Sequence, residues 1–117
     1  MPFFEAPIPP ATPAVLKNAI DWIYPAWNSK AVAFVSYGSV GGARAVGQLR
    51  QIATEVQLAP IRSAVHIPAG AIYAHFQGKD VTPYLVELDV PADQMIDDLL
   101  WWTKTLKTAR ARATTLE

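Results

Sequence analysis

The sequence lacks cysteine altogether and has only two histidines, His66 and His75. Without cysteine, the chain can have no disulfide framework, thiol nucleophile or thiolate metal site. Neither histidine stands in a metal-binding spacing such as H-E-x-x-H, and no G-x-S-x-G motif provides a serine nucleophile. These absences argue against hydrolysis and indicate that any chemistry is carried by a bound cofactor.

The sequence also lacks net charge, with ten basic and ten acidic residues among 117. Neutrality gives no reason to expect nucleic acid or an anionic membrane as a partner, and it favours self-association. No apolar run is long enough to cross a bilayer, and the first residues show no signal-peptide pattern. We therefore expect a cytoplasmic protein, with one small domain over residues 1–117.

The most informative stretch runs from Lys30 to Val46. Residues 31–35 are all apolar, which is typical of a strand covered on both faces. Three glycines then fall within five residues, at positions 38, 41 and 42. A helix is predicted from about Gly42 to Gln57. The turn would then lie at the carboxyl end of the strand, where ligands bind in open α/β sheets.

Pattern alone leaves two interpretations of this glycine turn open. It is either a tight connection between strand and helix or a ligand loop that uses close backbone approach. The spacing G-S-V-G-G is not the dinucleotide fingerprint G-x-G-x-x-G, and no Gly-Lys-Ser/Thr follows as in a P-loop. The residues therefore indicate, at most, an anion or ring site at the end of a strand.

The segments on either side complete an α/β unit. Thr12 as N-cap and Pro13 predict a helix start, and Pro25 predicts the end of that helix. After a break at Ala59–Pro60, alternation over Ile61–Ile67 predicts a second strand. Strand, helix and strand form a βαβ unit, which is expected to be parallel and right-handed.

The remainder of the sequence predicts a loop, a short strand and a helix. Breaker residues over 68–84 predict a loop, and Leu85–Leu88 a short strand. Tyr73, His75 and Phe76 make this loop either a ligand lid or a surface loop held by apolar side chains. A last helix is predicted, with Asp89 or Ala92 as its cap. Its predicted buried stripe is Ile96, Leu99, Leu100, Thr103 and Leu106.

Two further features predict contacts outside the core. Residues 1–12, with four prolines in the first ten, predict an extended arm that packs on its own domain or on a neighbouring subunit. Trp101 and Trp102 are adjacent in the last helix, so they cannot both face one core.

Three segments carry a resemblance to a known family. They are L-K-N-A-I-D-W (Leu16–Trp22), V-S-Y-G-S-V-G-G-A-R-A-V (Val35–Val46) and D-L-L-W-W (Asp98–Trp102). In these the chain resembles the later part of the NADPH-dependent FMN reductases, which have a flavodoxin-like fold. The family's phosphate-binding G-S-x-R loop and its P-E-Y-N loop have no counterpart here.

The resemblance implies an FMN cofactor, NADPH as co-substrate and hydride transfer from nicotinamide to flavin. It also implies that the glycine turn faces the flavin ring, because this turn matches the family's loop. The implied cofactor-binding residues are Ser36, Tyr37, Gly38, Ser39, Gly41 and Gly42. No catalytic residue and no metal ligand is implied.

The expected fold is α/β, a truncated flavodoxin-like unit with two parallel strands and about three helices. Two strands are too few for independent stability, so we expect an obligate homo-oligomer that completes the sheet. The first functional hypothesis is an FMN-dependent NAD(P)H oxidoreductase. The alternative is a non-catalytic, self-assembling fragment without bound flavin. A third hypothesis is another planar ligand, such as a quinone, at the Tyr37 turn.

Overall fold

The computed structural model describes residues 12–116, and the chain there forms eight elements. In chain order they are α1 (Ala14–Trp22), α2 (Tyr24–Trp27), β1 (Lys30–Tyr37), α3 (Ala43–Glu55), β2 (Leu58–Ile67), α4 (Ala69–Phe76), α5 (Thr82–Val86) and α6 (Asp89–Thr115). The fold is therefore α/β, as predicted. About three helices were expected, whereas the described residues form six helical segments, of which α2 and α5 are single turns.

The two strands pair in parallel and α3 connects them. The register runs from Lys30 opposite Leu58 to Tyr37 opposite Ile67, with an irregularity between Val32 and Phe34. Pro60 lies opposite Val32 at this irregularity. A proline cannot donate to a ladder but is tolerated at such a bulge. The predicted break at Ala59–Pro60 is therefore wrong, because β2 begins at Leu58.

The sheet is packed between α3 and α6. The buried cluster consists of Ile61 and Val65 from β2 and Met95 from α6, with small β1 residues against it. On α3, Val46 and Ala53 are buried. The predicted cover on both faces of β1 is wrong at Val35, whose side chain is 62% exposed. In this two-stranded sheet β1 has a neighbouring strand on one side, and its other edge has no partner strand among the described residues.

The first helix differs from prediction at both ends. It begins at Ala14 after Pro13, without a side-chain cap, so Thr12 is not its N-cap. The Thr12 N–H instead donates to the Gln48 side-chain oxygen of α3 at 2.6 Å. Pro25 does not end α1, which stops at Trp22; it lies in the first turn of α2, where its missing N–H costs no hydrogen bond.

The segment after β2 is helical. Residues 69–76 form α4 and residues 82–86 form α5, so the predicted loop over 68–84 and the predicted strand over Leu85–Leu88 are both wrong. The breaker residues flank or begin helices here. Pro68 precedes α4, and Pro83 lies in the first turn of α5, a position in which a proline is compatible with a helix.

The last helix begins at Asp89 and is 27 residues long. Its N-cap is Leu88, so neither predicted cap, Asp89 or Ala92, has that role. Its core face is formed by Leu88, Ala92, Met95 and Leu99, at helical spacing. The predicted stripe is correct at Leu99 and wrong at Ile96 and Leu100, which are 48% and 47% exposed. This face of α6 packs against Ala31 and Ala33 of β1, whose small side chains allow a close approach of the helix to the strand.

Beyond this core face, α6 carries both adjacent tryptophans. Trp101 and Trp102 are 62% and 40% exposed and contact each other edge to face, with ring centroids 5.5 Å apart. Farther along, the guanidinium of Arg110 donates to the Ser29 carbonyl before β1. The C-terminal half of α6 is therefore tied to the start of β1 by a polar contact.

Two expectations from the sequence, the proline-rich arm and the single domain, stay predictions. The predicted arm over residues 1–12 lies outside the described residues except for Thr12, and the single domain over 1–117 stays a prediction. Over residues 12–116, none of the helices combines the length and apolar character needed to span a bilayer.

Candidate functional site

The glycine turn lies where the sequence predicted it. β1 ends at Tyr37, the turn follows, and α3 begins at Ala43 with Gly42 before it. The Gly41 N–H donates to the Gly38 carbonyl at 3.0 Å, and the Ala43 N–H donates to the Val40 carbonyl at 3.2 Å. The turn therefore lies at the carboxyl end of the strand and opens a helix, which confirms the first structural expectation.

The turn needs glycine because it packs closely on the two strands. Gly41 and Gly42 have φ of +63° and +75°, in the left-handed region that favours glycine. A Cβ at Gly41 would lie 2.8 Å from the His66 Cβ, and one at Gly42 would lie 2.7 Å from the Ser36 Cβ. These two glycines therefore make room for the protein's own side chains.

A hydrogen-bond network ties the turn to both strands. The Ser36 hydroxyl donates to the Gly41 carbonyl at 2.6 Å, and the His66 Nδ1 lies 2.8 Å from the Ser36 Oγ. A serine hydroxyl has one proton, which the Gly41 carbonyl accepts, so the His66 Nδ1 is the donor to Ser36. His66 thus has a structural role at the end of β2, next to the turn.

A cleft of about 420 Å³ opens between the glycine turn and α4. Tyr37, Gly38 and Ser39 form one wall. The other wall is one face of α4, comprising Ala69, Ile72, Tyr73 and Phe76. Because both strands are parallel and end here, the cleft occupies the position at which α/β sheets bind ligands. Its volume is in the range of small-molecule sites.

The lining suits a planar aromatic ring. Tyr37, Tyr73 and Phe76 are each about two-thirds exposed, at 64%, 66% and 65%. Phe76 also contacts the His75 ring at 5.7 Å between centroids. Aromatic rings pack on one another in stacked or edge-to-face arrangements. The cleft can therefore hold a flat, apolar ligand between the turn and the helix.

The six predicted binding residues divide into two groups. Tyr37, Gly38 and Ser39 line the cleft. The other three, Ser36, Gly41 and Gly42, lie behind it and hold the turn on the strands.

The α4 wall was predicted as a loop, with a ligand lid that carries Tyr73 and Phe76 as one of two alternatives, although the signal for a helix is in the sequence. Positions 69, 72, 73 and 76 follow the i, i+3, i+4, i+7 spacing of one helix face. The opposite face carries Ala71 and Ala74, both of which are buried. Weighing this periodicity above the flanking breakers would have placed Tyr73 and Phe76 on one side of a helix.

The lining of the cleft is uncharged. Of the seven described residues that line it, none carries a charge. Arg44, in the first turn of α3, is exposed and lies outside this lining. The lining thus fits the ring of a flavin, whereas it supplies no cation for a phosphate.

A second concavity of about 310 Å³ lies between α1, β1 and α3. It is lined almost entirely by apolar side chains of α1, β1 and α3, among them Leu16, Ile20, Phe34, Val35 and Leu49. It follows β1, whose edge away from β2 has no partner strand among the described residues. We call it the edge groove.

Comparison with known proteins gives one family and several relatives. A family model described as NADPH-dependent FMN reductase matches residues 11–71. An NAD(P)H-dependent FMN reductase of Schizosaccharomyces pombe is 40% identical over 62 residues, which are 51% of this chain and 31% of the relative. An NAD(P)H-dependent FMN reductase of Saccharomyces cerevisiae is 43% identical over 61 residues, which are 51% of this chain and 32% of the relative.

A third relative, an NAD(P)H-dependent FMN reductase of Nectria sp., is 39% identical over 57 residues, which are 46% of this chain and 28% of the relative. The chain therefore spans about a third of the length of the curated relatives it matches. No solved structure matches the chain. The matched residues include α1, both strands, the glycine turn and the start of α4.

Proposed function

The chain belongs to the NADPH-dependent FMN reductase family, and from this premise we propose that it binds a flavin ring in the cleft between the glycine turn and α4. The activity that follows is oxidation of a reduced nicotinamide, NADPH or NADH, with flavin as the hydride acceptor. The named relatives are NAD(P)H-dependent FMN reductases. That activity comes to this chain as a proposal.

One observation carries the proposal. The family's glycine turn and the aromatic face of α4 meet at the carboxyl ends of both strands and enclose a cleft with an apolar, uncharged lining. A flavin supplies the hydride chemistry when bound, so the protein's task is to hold and orient the ring and to exclude water.

The described residues would share that task. Tyr37 and Tyr73 provide aromatic surface from the two walls, and Gly38 leaves the turn without a side chain where the ring would approach. Ser36 and His66 would act behind the cleft, since they hold the turn in place by hydrogen bonds. Tyr37, Gly38 and Ser39 are the proposed contact residues, and Ser36, Gly41 and Gly42 are the proposed supports.

A flavin titration tests the proposal. FMN fluorescence or absorbance is followed as the chain is added, for the wild type, for Tyr37→Ala and for the control Tyr24→Ala. Tyr24 lies on α2 and contacts the Glu55 carbonyl of α3 instead. Loss of one aromatic wall should weaken binding about threefold to tenfold. NADPH oxidation at subsaturating FMN should fall in parallel, because fewer chains then hold the flavin.

Two results would contradict the proposal. One is that FMN does not bind at any concentration the titration can reach. The other is that FMN binds and Tyr24→Ala weakens it as much as Tyr37→Ala, which would put the ring somewhere other than the cleft.

A second candidate function is self-assembly without flavin, and the edge groove favours it. β1 is paired on one side, its Val35 is 62% exposed, and the groove beside it is apolar. Unpaired strand edges pair with other chains, and a second copy of this chain carries the same edge. We therefore also propose that the chain is a homo-oligomer assembled through the edge groove.

The two candidates are separated by one purified sample. A yellow protein with a flavin absorbance spectrum supports the oxidoreductase, whether or not the solution mass is that of an oligomer. A colourless oligomer that does not take up added FMN supports the assembly without flavin.

A further inference from the structure

The seven residues that line the cleft carry no charge, and this bears on which part of a flavin the chain can hold. FMN is riboflavin with a terminal phosphate, which carries nearly two negative charges at neutral pH. Protein phosphate sites provide cations or convergent N–H groups. A cleft with aromatic walls and no cation in its lining has surface for the ring and no charged partner for the phosphate.

Several N–H groups at the helix ends near the cleft are already engaged within the chain. At the start of α3, the Ala43 N–H already donates to the Val40 carbonyl, and the Val46 N–H donates to the Gly42 carbonyl. At the start of α4, Pro68 has no N–H, and the Ala71 N–H donates to the Pro68 carbonyl at 3.0 Å.

From this lining we infer that the cleft selects the uncharged isoalloxazine ring and is indifferent to the phosphate, so that riboflavin binds as tightly as FMN. The inference rests on the proposed function, because it concerns the same cleft. It widens the ligand class from FMN to flavins with or without a phosphate.

The test compares three ligands on the wild-type chain. FMN, riboflavin and lumiflavin, which lacks the ribityl chain, are titrated at about 20 mM and about 500 mM salt, a range over which electrostatic attraction is screened. The three dissociation constants should agree within about threefold. The FMN value should not change with salt.

A gain-of-function variant sharpens the comparison. Ser39 is exposed at the mouth of the cleft, so Ser39→Arg would place a guanidinium there. The ratio of riboflavin to FMN dissociation constants should then rise about tenfold, because a charge-assisted contact to phosphate becomes available. Ser39→Gln adds comparable length without charge and should leave the ratio unchanged.

The outcomes distinguish this inference from the proposed function. If FMN binds the wild type at least tenfold more tightly than riboflavin and loses affinity with salt, the cleft has a phosphate site; the inference fails and the proposed function stands. If none of the three ligands binds, the proposed function itself fails, and the inference with it. Equal, salt-independent binding supports both.

Discussion

Gly42 and Gly47 lie five residues apart and differ in the space available for a side chain. Gly42 has φ of +75°, and a Cβ there would lie 2.7 Å from the Ser36 Cβ and 2.8 Å from the Tyr37 carbonyl oxygen. Gly47 lies inside α3 with open space around it. The same substitution therefore should change stability in opposite directions at the two positions.

We predict that Gly42→Ala lowers the free energy of unfolding by about 2–4 kcal/mol, from left-handed backbone strain and the clash with β1. Gly47→Ala should raise it by about 0.5–1 kcal/mol, because alanine favours the helix. Urea unfolding followed by circular dichroism measures both. If Gly42→Ala is as stable as the wild type, the turn does not pack as described.

The close packing of Gly42 also bears on ligand binding. If the ring approached the turn at Gly42, a valine there would prevent flavin binding by blocking that approach. In the structure that side chain would meet Ser36 and Tyr37 of the same chain instead. Gly42→Val should therefore weaken flavin binding by displacing the turn.

Asp80 shows a second local effect, on charge. The Thr82 hydroxyl and the Thr82 N–H both donate to the Asp80 carboxylate, at 2.7 and 2.9 Å. These bonds favour the ionised form and lower the pKa of Asp80 below its usual value, with the hydroxyl as the larger cause.

A pKa lowered by folding means that the ionised carboxylate stabilises the start of α5. This stabilisation is fully present above the usual aspartate pKa of about 3.9 and is lost as the pH falls through the lower, folded-state value. An NMR titration of the Asp80 carboxyl should give a midpoint below 3.9, and Thr82→Val should move it upward. A midpoint at or above about 3.9 in the wild type would disprove the contact.

Among the elements, α6 depends on few side chains for its attachment. Met95 is its one buried residue in the described part of the chain, at 8% exposure, and the adjacent Ile96 is 48% exposed. Met95 packs with Ile61 and Val65 of β2. The helix is thus fixed to the sheet mainly by its first three turns.

We predict that Met95→Ala lowers the free energy of unfolding by about 2–5 kcal/mol, through lost burial and the cavity it leaves. Ile96→Ala, beside it on the exposed side, should cost less than about 1 kcal/mol. Chemical denaturation of the two variants provides the comparison. Equal losses would mean that the core face of α6 is rotated toward Ile96, as the sequence had suggested.

Sequence patterns were sufficient for the βαβ unit because its signals are local and agree with one another. An apolar run, a glycine turn and a helical stripe each predict one element, and their order predicts parallel pairing.

The buried stripe of α6 was harder to predict. Periodicity favoured the large residues Ile96 and Leu100, whereas the partner surface of small alanines on β1 selected the face with Ala92 and Met95. That selection is tertiary and has no local signal.

The candidate site divides in the same way. Its glycine-turn wall could be predicted, since conformational freedom at a strand end is a local property. The helix that forms the α4 wall was not predicted because Pro68, Gly70 and Gly78 are typical of loops. Prolines and glycines at helix ends are nevertheless compatible with helices. Both walls come together only after β1 and β2 pair, so the cleft itself is a product of the tertiary fold.

At the scale of the whole molecule, the edge groove is the surface that the proposed assembly would use. Val35 lies beside it and is 62% exposed, whereas Val90, at the start of α6, is 65% exposed and lies outside its lining. The two valines are equally accessible, so they form a matched pair for a test of where copies meet.

We predict that the wild-type chain sediments as an oligomer at micromolar concentration. Val35→Asp should shift it toward the monomer mass, because a buried unpaired carboxylate is costly in an apolar interface. Val90→Asp should leave the mass unchanged. A wild-type chain that is a folded monomer would exclude obligate assembly, and an oligomer that Val35→Asp does not affect would place the interface elsewhere.

The parallel register has a consequence for how the chain is made. Lys30 pairs with Leu58 and Tyr37 with Ile67, so about thirty further residues must be synthesised after β1 before its partner strand β2 is complete. At synthesis rates of about 5–20 residues per second, that delay is about 1.5–6 seconds. During this interval neither edge of the apolar strand is paired, and the nascent chain depends on α3 docking, or on a chaperone, to keep β1 from neighbouring nascent chains.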